Sequence, residues 1–216
     1  MPLHKVIYLS NNTKLYLWKI TEDLETLSKD VRLKDSSKIR LESMKSESHK
    51  KGFLSVRKLL EHIDYTDFDL YYDEFGKPNL KPQGCFINEK HISISHSNDF
   101  SAIAISEKNI GIDIEILKDK IVTIAPKFMD ITTLEKLSSE DKIKKATVVW
   151  GIKESIFKIK NEKGISFPNH IFEDDFNFED KKTFAKLKFN NKVEKFTIEF
   201  DSFDDYMFVC AFENNE

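Results

Sequence analysis

The chain has 216 residues, with 34 Lys+Arg against 37 Asp+Glu for a formal net charge of -3, so one large domain or two of about 100 residues would fit, long enough to bury a core without staples. With 33% charged and 40% hydrophobic residues it reads as neither disordered nor membrane-embedded, and the near-neutral balance argues against a broad electrostatic grip on nucleic acid while leaving room for a local basic patch. Cys85 and Cys210 are far apart with no CxxC, which excludes a disulfide scaffold and a cysteine zinc site and suits a reducing cytoplasm.

In chain order, the first ten residues hold only a four-residue apolar run, shorter than the roughly 7–15 residues of an export signal. No stretch reaches the ~18 apolar residues of a membrane span, so a soluble, cytoplasmic protein is expected. Lys5–Leu9 and Leu15–Ile20 read as strands around the turn signal Asn11-Asn12. From Thr21 to His62 the pattern is helical and basic, with Phe53, Leu54, Leu59 and Leu60 late in it. Phe68–Tyr72 follows, then a turn at Phe75-Gly76-Lys77-Pro78 and strand-like runs at Ile92–Ser95, Ser101–Ser106 and Ile110–Ile116. Helices are expected at Ile121–Met129 and Glu140–Lys160, the second stopped by Gly164. The tail reads as strands at Thr183–Phe189, Val193–Phe200 and Tyr206–Phe212. Strands and helices mix without strict βαβ order, which favours an α+β fold. A boundary near residue 108 would give lobes 1–108 and 109–216.

The stretch Ile110-Gly111-Ile112-Asp113-Ile114-Glu115-Ile116 places isoleucine at every even position. On a strand the isoleucines share one face and Gly111, Asp113 and Glu115 the other. Two carboxylates about 7 Å apart repel unless solvent screens them or a cation lies between, and oxygen donors in that number suit Mg²⁺. Chance alone supplies roughly six acid-x-acid pairs in such a chain, so an exposed acidic strand is the plain alternative. Around Val149-Trp150-Gly151-Ile152-Lys153-Glu154-Ser155-Ile156-Phe157-Lys158, the residues Val149, Ile152, Ile156 and Ile159 form an apolar helical stripe. Trp150, Gly151, Glu154 and Lys158 fall on the opposite face. A Glu with a Lys four residues on is ordinarily a surface ion pair. A tryptophan off the stripe and a mid-helix glycine, costing about 1 kcal/mol, instead imply close packing on that second face. Ser95 and His96 end a strand in Ile94-Ser95-His96-Ser97, where a structural histidine is the plain alternative. Phe75-Gly76-Lys77-Pro78 is a tight turn holding out one lysine, on its own an ordinary surface turn.

Together and in order, these four elements resemble the Sfp-type 4′-phosphopantetheinyl transferases, over about Lys38 to Pro168, including Lys163-Gly164-Ile165-Ser166-Phe167-Pro168. The resemblance implies a pseudo-dimer of two α+β lobes with coenzyme A in the cleft between them, the first lobe on the nucleotide side. By the family pattern Asp113, Glu115 and Glu154 hold Mg²⁺, Glu154 is also a candidate base for the incoming serine, and Lys158 lies on a phosphate. Lys77, Ser95 and His96 match donor-binding positions. Where the family often carries arginines for the 3′-phosphate, this chain has Lys50 and Lys51, point charges without the bidentate fork. The implied acceptor is an apo acyl- or peptidyl-carrier protein, docking on Lys127 as electrostatic guide with Phe128 and Met129 as apolar anchors. Core packing of Phe128 and Met129 is the alternative. A monomer acting on neither nucleic acid nor membrane is expected. Two other functions stay open: a Mg²⁺-dependent phosphodiesterase or nuclease, disfavoured by the modest charge and by a lysine on a helix rather than a strand, and a non-catalytic coenzyme A or carrier-binding module, disfavoured by the intact Asp113, Glu115, Glu154 and Lys158. The carrier's pathway, and whether acyl-coenzyme A donors are accepted, are not legible.

Overall fold

Polar-apolar alternation in Thr13–Lys19 makes a strand, β2, which pairs antiparallel with β1 (Leu3–Leu9). The turn between them carries Asn11 and Asn12 in left-handed conformation, φ 57° and 51°, which asparagine tolerates better than most residues. These elements come from a computed structural model that describes residues 3–82 and 90–214; Cys85 lies outside them. The chain divides into two units, Met1–Lys108 and Asn109–Glu216.

In the first unit, the single helical stretch expected over Thr21–His62 is three helices: α1 (Leu24–Asp30), α2 (Asp35–Ser43) and α3 (Glu47–His62). Asp23 caps α1 by accepting the Thr26 amide at 2.7 Å. Val31 and Met44 end α1 and α2 in extended conformation, and Ser46 caps α3. The strands β3 (Leu70–Tyr72), β4 (Pro78–Leu80), β5 (His91–Ser97) and β6 (Phe100–Ser106) follow. The main sheet runs β1-β2-β6-β5, with β3 and β4 a separate ribbon. Helix α3 lies on one face of the sheet, where Val56, Leu59 and Leu60 pack with Trp18, Ile92 and Ile103.

A buried ion pair anchors α3. Arg57 Nε donates to Asp67 Oδ1 at 3.0 Å, with both side chains almost fully buried. Asp67 also accepts the Ser37 hydroxyl and the Lys34 amide, each at 2.9 Å, which fixes the start of α2. The guanidinium stacks 3.5 Å from the Phe53 ring centroid. Asp67→Ala would strand the Arg57 charge in the interior, so unfolding in urea should show a loss on the order of 3–5 kcal/mol; a change below about 1 kcal/mol would mean that the pair is dispensable.

The second unit holds β7 (Ile110–Ile116), α4 (Lys120–Ile124), α5 (Ser139–Lys160), α6 (Phe167–His170), β8 (Ile171–Glu173), β9 (Lys182–Phe189), β10 (Lys192–Phe203) and β11 (Tyr206–Glu213). Its sheet is antiparallel in the order β7-β11-β10-β9-β8. Helix α5 lies on one face, where Val148, Ile152, Ile156 and Ile159 bury against Leu187, Phe196, Ile198 and Val209. Each unit thus sets helices against an antiparallel sheet, an α+β fold. The helix expected over Ile121–Met129 is the short α4 followed by a 3-10 turn at Ala125–Lys127; Pro126 has no amide to continue the α-helical ladder. Asn161, left-handed at φ 49°, ends α5 before Gly164 is reached. Among the described residues, no helix is long and apolar enough to cross a membrane.

Candidate active site

Helix α5 packs unusually close to the sheet, and two glycines are the reason, Gly111 on β7 and Gly151 on α5 where it faces β11. A β-carbon on Gly111 would lie 1.8 Å from the Ser155 carbonyl oxygen, so no other residue fits there without moving the helix. A β-carbon on Gly151 would lie 2.5 Å from Val209 Cγ2. Trp150 packs edge-on between Phe128 and Phe167, with centroids 5.1 and 5.6 Å away. These contacts account for the glycine and the tryptophan that stand off the apolar stripe. The Ser155 hydroxyl donates to the Val209 carbonyl at 3.0 Å. The Lys153 ammonium donates to the Ile171 carbonyl at 2.5 Å and pairs with Glu173. Burial pushes the Lys153 ammonium pKa down, against the Glu173 charge that raises it. Lys153 and Ser155 therefore lock α5 to the sheet, a role for the motif that the spacing did not disclose.

With the helix held so close, Asp113, Glu154 and Lys158 share one place. Asp113 is buried on the face of β7 turned to α5, beside Gly111. Its Oδ1 accepts Lys158 Nζ at 2.8 Å, and the same ammonium donates to the Ile112 carbonyl at 2.7 Å. Glu154 lies one turn before Lys158 on α5. Its carboxyl pKa is raised, first by burial and then by the negative charge of Asp113; Lys158 opposes the rise and Glu115 adds to it. Three carboxylates and one ammonium are thus electrostatically linked across the seam, so Asp113 is a buried participant rather than part of an exposed acidic strand.

Among the described residues, no group of three His, Cys, Asp or Glu side chains is closed up as a metal cage. The donor set nevertheless fits a hard divalent cation. It offers oxygen ligands only, and Mg²⁺ takes one or two carboxylates and fills its shell with water and phosphate. The mutual repulsion felt at Glu154 is what a cation would relieve.

The first unit carries the other expected donor-binding residues. His96 faces α3, with Cγ 3.4 Å from where a Gly52 β-carbon would stand and its ring centroid 6.0 Å from that of His49. Ser95 points to the opposite face of β5 and is buried, so the two side chains that sit side by side in the sequence do not converge. Lys51 pairs with Glu47 at 3.4 Å, while Lys50 is its half-buried neighbour on α3. Lys77 sits in a turn tied by Asp73, whose Oδ1 accepts the Phe75 and Lys77 amides at 2.9 Å each. Gly76 takes φ 87° there, a conformation that favours glycine. Asp73, which sequence reasoning passed over, orients this lysine.

The expected apolar anchors are corrected. Phe128 and Met129 are 1% and 8% exposed and pack with Ala125, Leu134, Ala146 and Val149 under α5. They are core residues, and an amphipathic run of this kind looks the same in sequence whether its apolar side meets a helix or a partner. Lys127 remains exposed.

A model of the 4′-phosphopantetheinyl transferase superfamily matches residues 109–211, nearly the whole second unit. The chain is similar to the 4′-phosphopantetheinyl transferase Sfp of Bacillus subtilis (strain 168), with 31% identity over 127 residues, 56% of this chain and 54% of that protein. It is similar to the 4′-phosphopantetheinyl transferase gsp of Aneurinibacillus migulanus, with 29% identity over 168 residues, 74% of this chain and 66% of that one. A further 4′-phosphopantetheinyl transferase of Bacillus subtilis is 33% identical over 113 residues, 51% of this chain and 48% of the relative. The chain thus spans about half to two thirds of the length of these relatives.

Proposed function

We propose, from the match of its second unit to the 4′-phosphopantetheinyl transferase superfamily, that the chain moves the 4′-phosphopantetheine arm of coenzyme A onto a serine of an apo acyl- or peptidyl-carrier protein, releasing 3′,5′-ADP. The observation that carries this reading is the seam itself, where Asp113, Glu154 and Lys158 are electrostatically linked on a strand and a helix in close backbone approach.

In the proposed reaction the serine oxygen attacks the β-phosphorus of coenzyme A, and the bond to the bridging pyrophosphate oxygen breaks. Glu154 takes the hydroxyl proton, and the leaving 3′,5′-ADP keeps the bond electrons. Lys158, held in place by Asp113 and the Ile112 carbonyl, supplies positive charge beside the reacting phosphate. Asp113, Glu115 and Glu154 would hold Mg²⁺, which when bound offsets charge on the pyrophosphate. In the first unit, Lys50, Lys51, Lys77 and His96 are assigned to the donor, His96 on the α3 face and Lys77 from its Asp73-tied turn, while Ser95, buried on the opposite face of β5, is left out of that set. The protein is taken to act as a cytoplasmic monomer. Release of 3′,5′-ADP that requires both coenzyme A and the apo carrier, followed by chromatography, tests the reading; ADP release without a carrier would point to hydrolysis instead.

Two narrower expectations accompany it. Lys77→Ala and His96→Ala should each raise the Michaelis constant for coenzyme A several-fold and leave that for the carrier near its original value. A shift confined to the carrier constant would assign these residues to the acceptor. Lys127→Glu should weaken carrier use at low salt without changing coenzyme A affinity measured by calorimetry, and the effect should shrink as salt rises. An unchanged carrier constant at low salt would remove Lys127 from the interface.

A further inference from the structure

Helix α3 meets its sheet mainly through apolar side chains such as Val56, Leu59 and Leu60. Two serines interrupt that contact, Ser55 on α3 and Ser101 on β6, both 0% exposed. A buried hydroxyl is costly unless it is hydrogen-bonded, and these two are bonded to each other, with 2.7 Å between their Oγ atoms. Ser55 Oγ donates to the Gly52 carbonyl at 3.0 Å, and Ser101 Oγ lies 3.4 Å from the same oxygen. Two hydroxyl protons serve two bonds, and the two shorter distances make one chain, from Ser101 to Ser55 to the Gly52 carbonyl. The strand is thereby tied to the helix backbone at one point.

Gly52 is also where the donor groups assigned to this unit meet. The register sets His96 of β5 directly opposite Ser101 of β6, so both side chains stand on the face under α3. The imidazole lies against Gly52, with Cγ 3.4 Å and Nδ1 3.6 Å from where a β-carbon would stand. Lys50 and Lys51 are the two residues before Gly52 on the same helix. Apolar packing alone tolerates several arrangements of helix and strand. A buried polar chain with both hydroxyls satisfied selects one.

We propose that Ser55 and Ser101 are positioning residues for the donor: by tying the Gly52 carbonyl to β6, they fix Lys50 and Lys51 on α3 relative to the His96 imidazole on β5. This role rests on the assignment of Lys50, Lys51 and His96 to coenzyme A. Neither serine touches the donor, since both are fully buried.

Calorimetric titration of the full chain with coenzyme A in the presence of Mg²⁺, together with steady-state kinetics, provides the test. Ser55→Ala/Ser101→Ala should weaken coenzyme A binding about fivefold or more and raise its Michaelis constant to match, while the carrier constant and the turnover at saturating coenzyme A stay near wild type. Ser101→Ala alone, which cuts the link to the strand, should show most of that loss. The matched control is Ser106→Ala, which removes another buried hydroxyl of β6, bonded to Thr13 at 2.8 Å. It lies about 17 Å along the strand from Ser101, and its loss should cost stability without changing coenzyme A affinity. An equal loss of affinity in the control would reduce the two serines to general stabilisers and overturn the proposal. Unchanged affinity in the folded serine variants, with binding weakened by His96→Ala, would also overturn it and leave the donor assignment standing. Unchanged affinity in both the serine variants and His96→Ala would overturn the donor assignment together with it.

Discussion

Asp113→Ala and Glu154→Ala should each lower phosphopantetheine transfer by at least about 100-fold, since stabilising charge at the transferring phosphorus is the largest catalytic contribution in phosphoryl chemistry. The two variants should differ in their side effects. Glu154 is half-buried and repelled by Asp113 and Glu115, so its removal relieves strain and should leave the fold intact. Asp113 is buried and holds Lys158 at 2.8 Å, so its loss removes the carboxylate that pairs with that ammonium at the seam. Thermal unfolding should therefore separate them, with Asp113→Ala the less stable protein. Near-normal transfer by either folded variant would remove that residue from the chemistry.

Gly111→Ala should be the most damaging single methyl group in the second unit. The added β-carbon would meet the Ser155 carbonyl at 1.8 Å and its carbon at 2.7 Å, both backbone atoms that no rotamer change can clear. Overpacking of a rigid seam costs typically 1–3 kcal/mol and more where backbone must move, so a loss of about 3 kcal/mol is expected, a fall in melting temperature on the order of 10 °C. Activity should fall as well, because β7 carries Asp113 and α5 carries Glu154 and Lys158, and pushing the two apart separates the cluster. Gly52→Ala is the matched comparison: its nearest neighbour, His96 Cγ, is 3.4 Å away, and stability should change by less than about 1 kcal/mol. Equal melting temperatures for Gly111→Ala and wild type would show that the seam is soft.

Strand β7 and helix α5 were the most legible parts of the chain, because each shows its period without interruption. Isoleucine at every second position defines a strand, and Val149, Ile152, Ile156 and Ile159 mark a helical stripe that is buried as read. The breaks in the basic stretch before Glu47 were harder to read: α2, Asp35–Ser43, has little apolar periodicity, and its position depends on Asp67 receiving the Ser37 hydroxyl and the Lys34 amide across some thirty residues of chain. Other features depend on contacts that spacing alone does not show. Lys153 is buried because Glu173 and the Ile171 carbonyl come to it. Phe128 and Met129 are buried because α5 covers them. Ser95 and His96 are adjacent in sequence, yet the pleat of β5 sends them to opposite faces. At the candidate site, sequence spacing placed Asp113 on the right strand face and Glu154 and Lys158 on the right helix, but the ion pair between Lys158 and Asp113 depends on the glycine-tight approach of strand and helix. That approach becomes visible only in three dimensions.

Intact-protein mass spectrometry of an apo carrier protein incubated with the full chain, coenzyme A and Mg²⁺ is the most direct measurement of the central claim. The account predicts that the carrier gains the mass of one phosphopantetheine, that replacing its acceptor serine by alanine abolishes the gain, and that Glu154→Ala slows it at least about 100-fold. A carrier whose mass stays unchanged while the protein is folded and coenzyme A is intact would contradict it.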